Sequence, residues 1–344
     1  MTNGVIGSTG WTGVGRMFKR PTVWGGLLLV AALAAISVEI ISLPSSMTVL
    51  QGWYQGIVPS DVRLSIWRWK TGGAILPPYA LALIVGIMVL ERIIPVQRDQ
   101  RMFTVGLAQD VTWFSIEAAF RMTILPLYIT WLKMLYDAWL GFLTVPMLGT
   151  GPLAVRVACS IIVYDFLQWS HHYVRHRVGT LWYFHAVHHS QRQMSLFTDS
   201  RVHLLEPLVS FTMICLPMFI LQIDPFAVAS VAIAISWYVR FCHASVRTNL
   251  GALKHVLVTP QYHRIHHSIE GRHSDKNFAQ LFTLWDRVFG TIYANYDEFP
   301  ATGIPDTQFP MEHQRPWWAA PWGYVEQTLY PFRQMFKKVT RGIA

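Results

Sequence analysis

The sequence predicts an all-α fold: an integral membrane helical bundle of about four spanning helices plus a re-entrant hairpin, with a histidine-rich cap on the cytoplasmic side. Three observations predict it. Hydrophobic residues fill 52% of the 344 positions and charged residues only 14%, against about 25% charged in an ordinary soluble domain. Apolar stretches of about 20 residues, the length that crosses a bilayer, recur along the first half of the chain. Thirteen of the fourteen histidines lie between His171 and His273, in groups with the spacing of helix faces.

The first candidate span runs from Thr22 to Leu43, follows Arg16, Lys19 and Arg20, and is closed by Pro44. The second runs from Ala74 to about Pro95. The third runs from about Val111 to Trp131 and holds Glu117 and Arg121, one helical turn apart and placed to pair. The fourth begins near Leu153 and runs into His176. The apolar stretch Leu204–Cys242 is broken by Pro217, Asp224 and Pro225, which reads as a helical hairpin that dips in and returns. Basic residues favour the cytoplasmic side. Arg16, Lys19 and Arg20 precede the first span, and Arg92, Arg98 and Arg101 follow the second. Four spans from a cytoplasmic N-terminus bring the chain back to the cytoplasm at His171, and the hairpin keeps His263 on that side. Arg63, Arg68 and Lys70, in the loop 44–73, run against this orientation.

The net charge of +9, in a chain of mean hydropathy +0.31, reads as a basic face towards anionic headgroups. No Lys/Arg run with interleaved aromatics marks a nucleic-acid site. Cys159, Cys215 and Cys242 are far apart, and without a C-x-x-C neither a zinc ribbon nor a redox dithiol is indicated.

The histidine groups carry the chemistry. The first reads His171-His172-Tyr173-Val174-Arg175-His176, the second His185-Ala186-Val187-His188-His189, and the third His263-Arg264-Ile265-His266-His267. Imidazole is the commonest metal ligand, and spacings of three and four put side chains on one helix face. Burying each ring without a partner costs a few kcal/mol; a shared metal satisfies them together. The number of imidazoles exceeds one tetrahedral site and points to two metals. The soluble di-iron bundle pattern needs two E-x-x-H segments, and the chain has one, Glu270-Gly271-Arg272-His273, so that pattern is excluded. Spacing alone does not separate iron from zinc. His255 and His313 stand alone and read as structural or solvated residues.

The run Asp165-Phe166-Leu167-Gln168-Trp169-Ser170-His171-His172-Tyr173-Val174-Arg175-His176 resembles the first histidine box of the fatty acid hydroxylase superfamily, which includes sterol desaturases and sphingolipid hydroxylases. Leu181-Trp182-Tyr183-Phe184-His185-Ala186-Val187-His188-His189-Ser190 is similar to the family's LW-x-F-H-x-V-H-H-S. Arg201-Val202-His203-Leu204-Leu205-Glu206 resembles R-x-H-P-x-E, with leucine for proline, and His243-Ala244-Ser245-Val246-Arg247 resembles H-x-N-x-R, with serine for asparagine. Thr259-Pro260-Gln261-Tyr262-His263-Arg264-Ile265-His266-His267-Ser268 is similar to the last box. Asp275-Lys276-Asn277-Phe278 and Trp285-Asp286-Arg287-Val288-Phe289-Gly290-Thr291 resemble the closing segments. The resemblance covers a catalytic domain at 90–295; outside it lie an N-terminal tail with the first two membrane helices at 1–89 and a tail at 296–344 whose aromatic and basic residues suit an interfacial segment, with a packing segment over the catalytic cap as the alternative.

The resemblance also implies a ligand set: His172, His176, His185, His188, His189, His243, His263, His266 and His267, with His171 an extra and His203 behind the ligands. Asp165, Asp275, Asn277 and Asp286 are candidate acceptors for imidazole N–H groups, with helix caps or turns as their alternative use. Two non-haem iron ions, O2 and a lipid or sterol substrate, hydroxylated or desaturated, are implied with them. Without a fused H-P-G-G segment, a separate ferredoxin or cytochrome b5 type donor with its reductase is expected. A zinc lipid hydrolase, which needs no electrons, and a membrane metal-binding or transport protein are the alternatives.

Overall fold

The computed structural model describes residues 78–342 apart from 102, 146–151, 224, 294, 296–297 and 313–314. The expected span Thr22–Leu43 and the loop 44–73 lie outside the described residues. Nine α-helices occur among the described residues, with isolated bridges but no strand. They are α1 (Pro78–Ile93), α2 (Val105–Trp139), α3 (Leu153–Arg177), α4 (Gly179–His189), α5 (Glu206–Ile220), α6 (Pro225–His243), α7 (Pro260–His266), α8 (Leu284–Val288) and α9 (Ala320–Gly342).

Local chemistry sets the boundaries. Thr104 caps α2, its hydroxyl accepting from Leu107 N at 3.0 Å, and Thr259 caps α7 by accepting from Tyr262 N at 3.1 Å. Prolines at the first turn of α5 and α7 have no N–H to leave unsatisfied there. Between α3 and α4 the single extended residue Val178 breaks the helix, so the two helices fold back and pack on each other. α5 and α6, at the place of the expected hairpin, are successive helices that each pack on α3.

Expectation and structure part over the membrane. Helices stand at the expected second, third and fourth spans, but no described helix is long and apolar enough to cross a membrane. α1 has only 16 residues. α2 is long, at 35 residues, but carries Asp110, Glu117, Arg121, Lys133 and Asp137. The expected pair Glu117–Arg121 forms. α3 is interrupted by Arg156, Asp165 and the histidines.

The C-terminal segment, read as an interfacial tail or as a packing segment over the cap, packs on the cap along one side. α9 lies against α2 and α4, and Ile304, Phe309 and Tyr330 are buried with Trp113, Ala186 and Val187. The Arg201 guanidinium is fully buried; it donates to Asp110 at 2.6 Å and to Glu312 at 2.9 Å. Three distant parts of the chain are thereby tied behind the second histidine group. The outward side of α9 keeps Trp322, Phe336 and Val339 exposed.

Candidate metal centre

The fold brings all nine expected ligands together in two groups. His172, His176, His185, His189 and His266 form one; His188, His243, His263 and His267 form the other. Within each, the ligand atoms lie within 4.8 Å of one another. The partition follows helix geometry. Residues at i and i+4 project along one line, whereas i+3 is rotated to its side. In α4, His185 and His189 therefore serve the first group and His188 the second. In α7 the assignment is exchanged: His263 and His267 serve the second group and His266 the first. Each H-x-x-H-H segment donates across to the other's group, which holds the two groups side by side. His189 and His267 stack with centroids 4.3 Å apart at the seam.

Neighbouring Nε2 atoms face one another at 2.9–3.2 Å in both groups. Nitrogens about 2.1 Å from a common ion lie roughly 3.0–3.4 Å from each other, so the spacing fits a metal. The Nε2 of His266 is buried without a hydrogen-bond partner, as expected of a nitrogen left bare for an ion. Burial, the first cause in each case, holds His185, His188, His189, His263, His266 and His267 well below the usual imidazole pKa. Neutral rings are what metal binding requires.

The opposite ring nitrogens fix the rings. The Nδ1 of His172 lies 2.8 Å from the Phe278 carbonyl, that of His266 2.8 Å from the Lys276 carbonyl, and that of His243 2.8 Å from the Val239 carbonyl. An Nδ1–H donated to a carbonyl leaves the Nε2 lone pair free. Asp275 and Asn277 take left-handed φ values of 58° and 61°, a region these residue types tolerate. This winding aims the carbonyls of 276 and 278 at the imidazoles.

The four candidate acceptors divide. Asp275 faces His176 Nδ1 at 3.7 Å and pairs with Arg177 at 3.0 Å. The other three bond elsewhere. Asp165 accepts from the backbone of Leu281 and Phe282 and from the Trp285 indole. Asn277 bonds the backbone of Tyr262 and Tyr293. Asp286 accepts from Trp169, Tyr262, Phe278, Ala279 and Thr291. Theirs is the cap and turn use, because the sharp turns after the third group expose backbone N–H groups that need acceptors. Asp286 still reaches the site through Phe278, whose N–H it holds and whose carbonyl faces His172.

His203 lies outside both groups: its Nε2 donates to the Thr328 carbonyl at 3.1 Å and its Nδ1 accepts from Leu205 N at 3.2 Å. His171 bonds Gln168 and joins neither group. Sequence reasoning missed Glu206 and Arg175. The buried Glu206 carboxylate lies 3.1 Å from His185 Nδ1 and pairs with Arg175. Glu206 closes the R-x-H-P-x-E-like segment, which was its only signal.

Residues 157–291 match the family model for fatty acid hydroxylase. The chain is 33% identical to the alkylglycerol monooxygenase of Homo sapiens over 136 residues, 39% of this chain and 30% of that protein. It is 26% identical to an ornithine lipid hydroxylase of Rhizobium tropici over 144 residues, 41% of this chain and 43% of that protein. It is 28% identical to a very-long-chain aldehyde decarbonylase of Oryza sativa subsp. indica over 162 residues, 43% of this chain and 25% of that protein. The chain thus spans less than half the length of these curated relatives. No solved structure matches it.

Proposed function

We propose, from the match of residues 157–291 to the fatty acid hydroxylase family model, that the chain is a membrane-bound non-haem di-iron oxygenase of lipids. It hydroxylates or desaturates an unactivated C–H bond of a fatty acyl chain, sterol or related lipid, using O2 and externally supplied electrons. The observation that carries this reading is the gathering of nine imidazoles, eight of them in buried residues, into groups of five and four. The names of the relatives, a monooxygenase and a lipid hydroxylase, support O2 and a lipid. They favour iron over zinc, since imidazole suits both and only iron of the two is redox-active.

When bound, two iron ions supply the oxidising power that O2 and two electrons together provide and that no side chain can. The chain's own share is positional. α3, α4 and α7 present rings on fixed faces, and the 276 and 278 carbonyls and Glu206 hold those rings in place. Eight of the nine ligands are at most 6% exposed, so bulk water is kept from the centre and side reactions are suppressed. Membrane association is supported by the outer face of α1, where Leu81, Val85, Val89 and Ile93 form an exposed apolar line. The exposed aromatics of α9 beside Lys337 and Lys338 suit the headgroup layer. A ferredoxin or cytochrome b5 type donor with its reductase completes the system.

The test supplies iron-loaded protein with reductase, donor, mixed membrane lipids and 18O2. A hydroxylated lipid carrying one 18O atom, or an alkene formed with O2 uptake, is expected. Lipid cleavage at full rate without O2 or reductant would establish the hydrolytic alternative instead.

A further inference from the structure

An unbroken series of rings leads from the histidine cluster to the surface. Phe278, fully buried, contacts His176 at 5.0 Å and His172 at 5.7 Å between centroids. Tyr173 meets Phe278 at 5.3 Å. Trp169 stacks on Tyr173 at 5.3 Å with 15° between planes, and on Phe289 at 4.4 Å with 18°. Phe289 is 51% exposed. Trp169 itself is buried, and its indole N–H donates at 3.0 Å to Asp286, a carboxylate with no exposure at all.

These rings pack the core and Asp286 holds the neighbouring turn, and together they also set a buried carboxylate against the edge of an indole. Asp286 receives four other donors, from Tyr262, Phe278, Ala279 and Thr291. All five partners are N–H or O–H donors, so the carboxylate acts throughout as an acceptor. An anion bonded to an indole edge, out of water, stabilises a positive charge on that ring, because the field is weakly screened there. Trp169 is therefore the ring in the series best suited to lose an electron. Phe278 and Phe289, at the two ends of the series, extend the contact without being readily oxidised, and the Arg177 guanidinium 5.2 Å over the Tyr173 ring opposes a positive charge there.

We propose that Trp169, held between Asp286 and the stacked Tyr173 and Phe289, is a one-electron relay that discharges the metal centre when it stands oxidised without substrate. The inference rests on the oxygenase reading above. The balance is of electrons alone. One electron leaves the indole for the oxidised metal, which is reduced. The ring cation is held by the Asp286 carboxylate, and no bond is made or broken. The ring then takes one electron, through Phe289, from a small reductant of the quinol or phenol class, which is oxidised. The exposed apolar neighbours Val288 and Leu284 suit such a reductant. Ligand histidines are thereby spared the oxidation that an undischarged centre would inflict.

The test uses the full chain, iron-loaded and metal-free, treated with limiting hydrogen peroxide in the absence of lipid. Peptide mass spectrometry locates the oxygen adducts, and frozen samples are read by electron paramagnetic resonance. The iron-loaded protein is expected to give an indole radical signal and adducts concentrated on Trp169, lowered at least 3-fold by added quinol. In Trp169→Phe, which keeps a ring in the stack, the signal is expected to vanish and adducts on the ligand histidines to rise at least 3-fold. Adducts centred on Trp182 overturn the relay. That ring lies 4.9 Å from His176 but is joined to no carboxylate among the described residues. Unchanged histidine damage in Trp169→Phe, or no effect of quinol, overturns it equally. The wild-type adduct map decides even if the variant fails to fold. Equal oxidation with and without iron speaks instead against the oxygen-activating centre, and the relay falls with it.

Discussion

The five-and-four division of the ligands sets up a prediction about metal content. His243→Ala leaves three nitrogens in the second group, whereas His266→Ala leaves four in the first. Four-ligand protein sites bind zinc with an apparent 10–16 kcal/mol, or about 3 kcal/mol per ligand. Losing one ligand thus weakens binding roughly 10²-fold. The His266 variant also strands the Lys276 carbonyl, which costs only about 1 kcal/mol and does not change the order. After gel filtration at limiting metal, His243→Ala should keep one ion per chain, and His266→Ala about two. Elemental analysis and metal titration by calorimetry measure this. If His266→Ala loses as much metal as His243→Ala, the cross-donation by the two H-x-x-H-H segments is refuted.

Further outcomes follow from the same geometry. His188→Ala and His266→Ala should each lower turnover by about 100-fold or more, since every ligand has a defined place in one group, while His313→Ala leaves it near normal; equal losses in a lipid oxidation assay would show that grouping carries no information. Glu206→Gln should keep the fold but weaken metal binding roughly 10–100-fold, measured by competition with a chelator, because the amide no longer draws the His185 Nδ1 proton as a carboxylate does. The metal-free protein should lose stability as pH falls. Burial depresses the cap imidazoles His185, His188, His189, His263, His266 and His267 in the folded chain. The unfolded chain then binds more protons below about pH 6.5, and each imidazole withdraws about 1.4 kcal/mol per pH unit there. Above that pH both states are neutral and the contribution is complete. The melting temperature should therefore hold between about pH 7 and 8 and fall steeply towards pH 5; a flat profile across the lower range contradicts it.

Much of this centre was legible in the sequence, and the reason is local. Spacings of three and four residues are set by the helix itself, so His185, His188 and His189 face one way wherever α4 goes. Helix-starting Thr104, Thr259 and Pro260 also act within one turn of themselves, although the third span was expected from about Val111 and its helix starts at Val105. Spacing therefore determined the helical class and which imidazoles share a helix face, while the full set of nine was implied by the resemblance. What it did not carry was the pairing of surfaces far apart in the chain. The exchange of His188 and His266 between groups depends on how α4 and α7 are set against each other. The carboxylates show the same limit: Asp165 and Asp286 satisfy turns more than a hundred residues from, or close behind, themselves, and Glu206, marked in sequence only as the end of the R-x-H-P-x-E-like segment, lies 3.1 Å from His185. The C-terminal aromatics read as a membrane edge, yet half of their helix is drawn inward by Tyr330 and Gln327, with Glu312 before it on Arg201. A carboxylate or an aromatic ring serves water, turn, metal or lipid equally well by its own chemistry. Only the groups that folding brings within a few ångströms decide which of these it meets, and so the tertiary structure alone settled those roles.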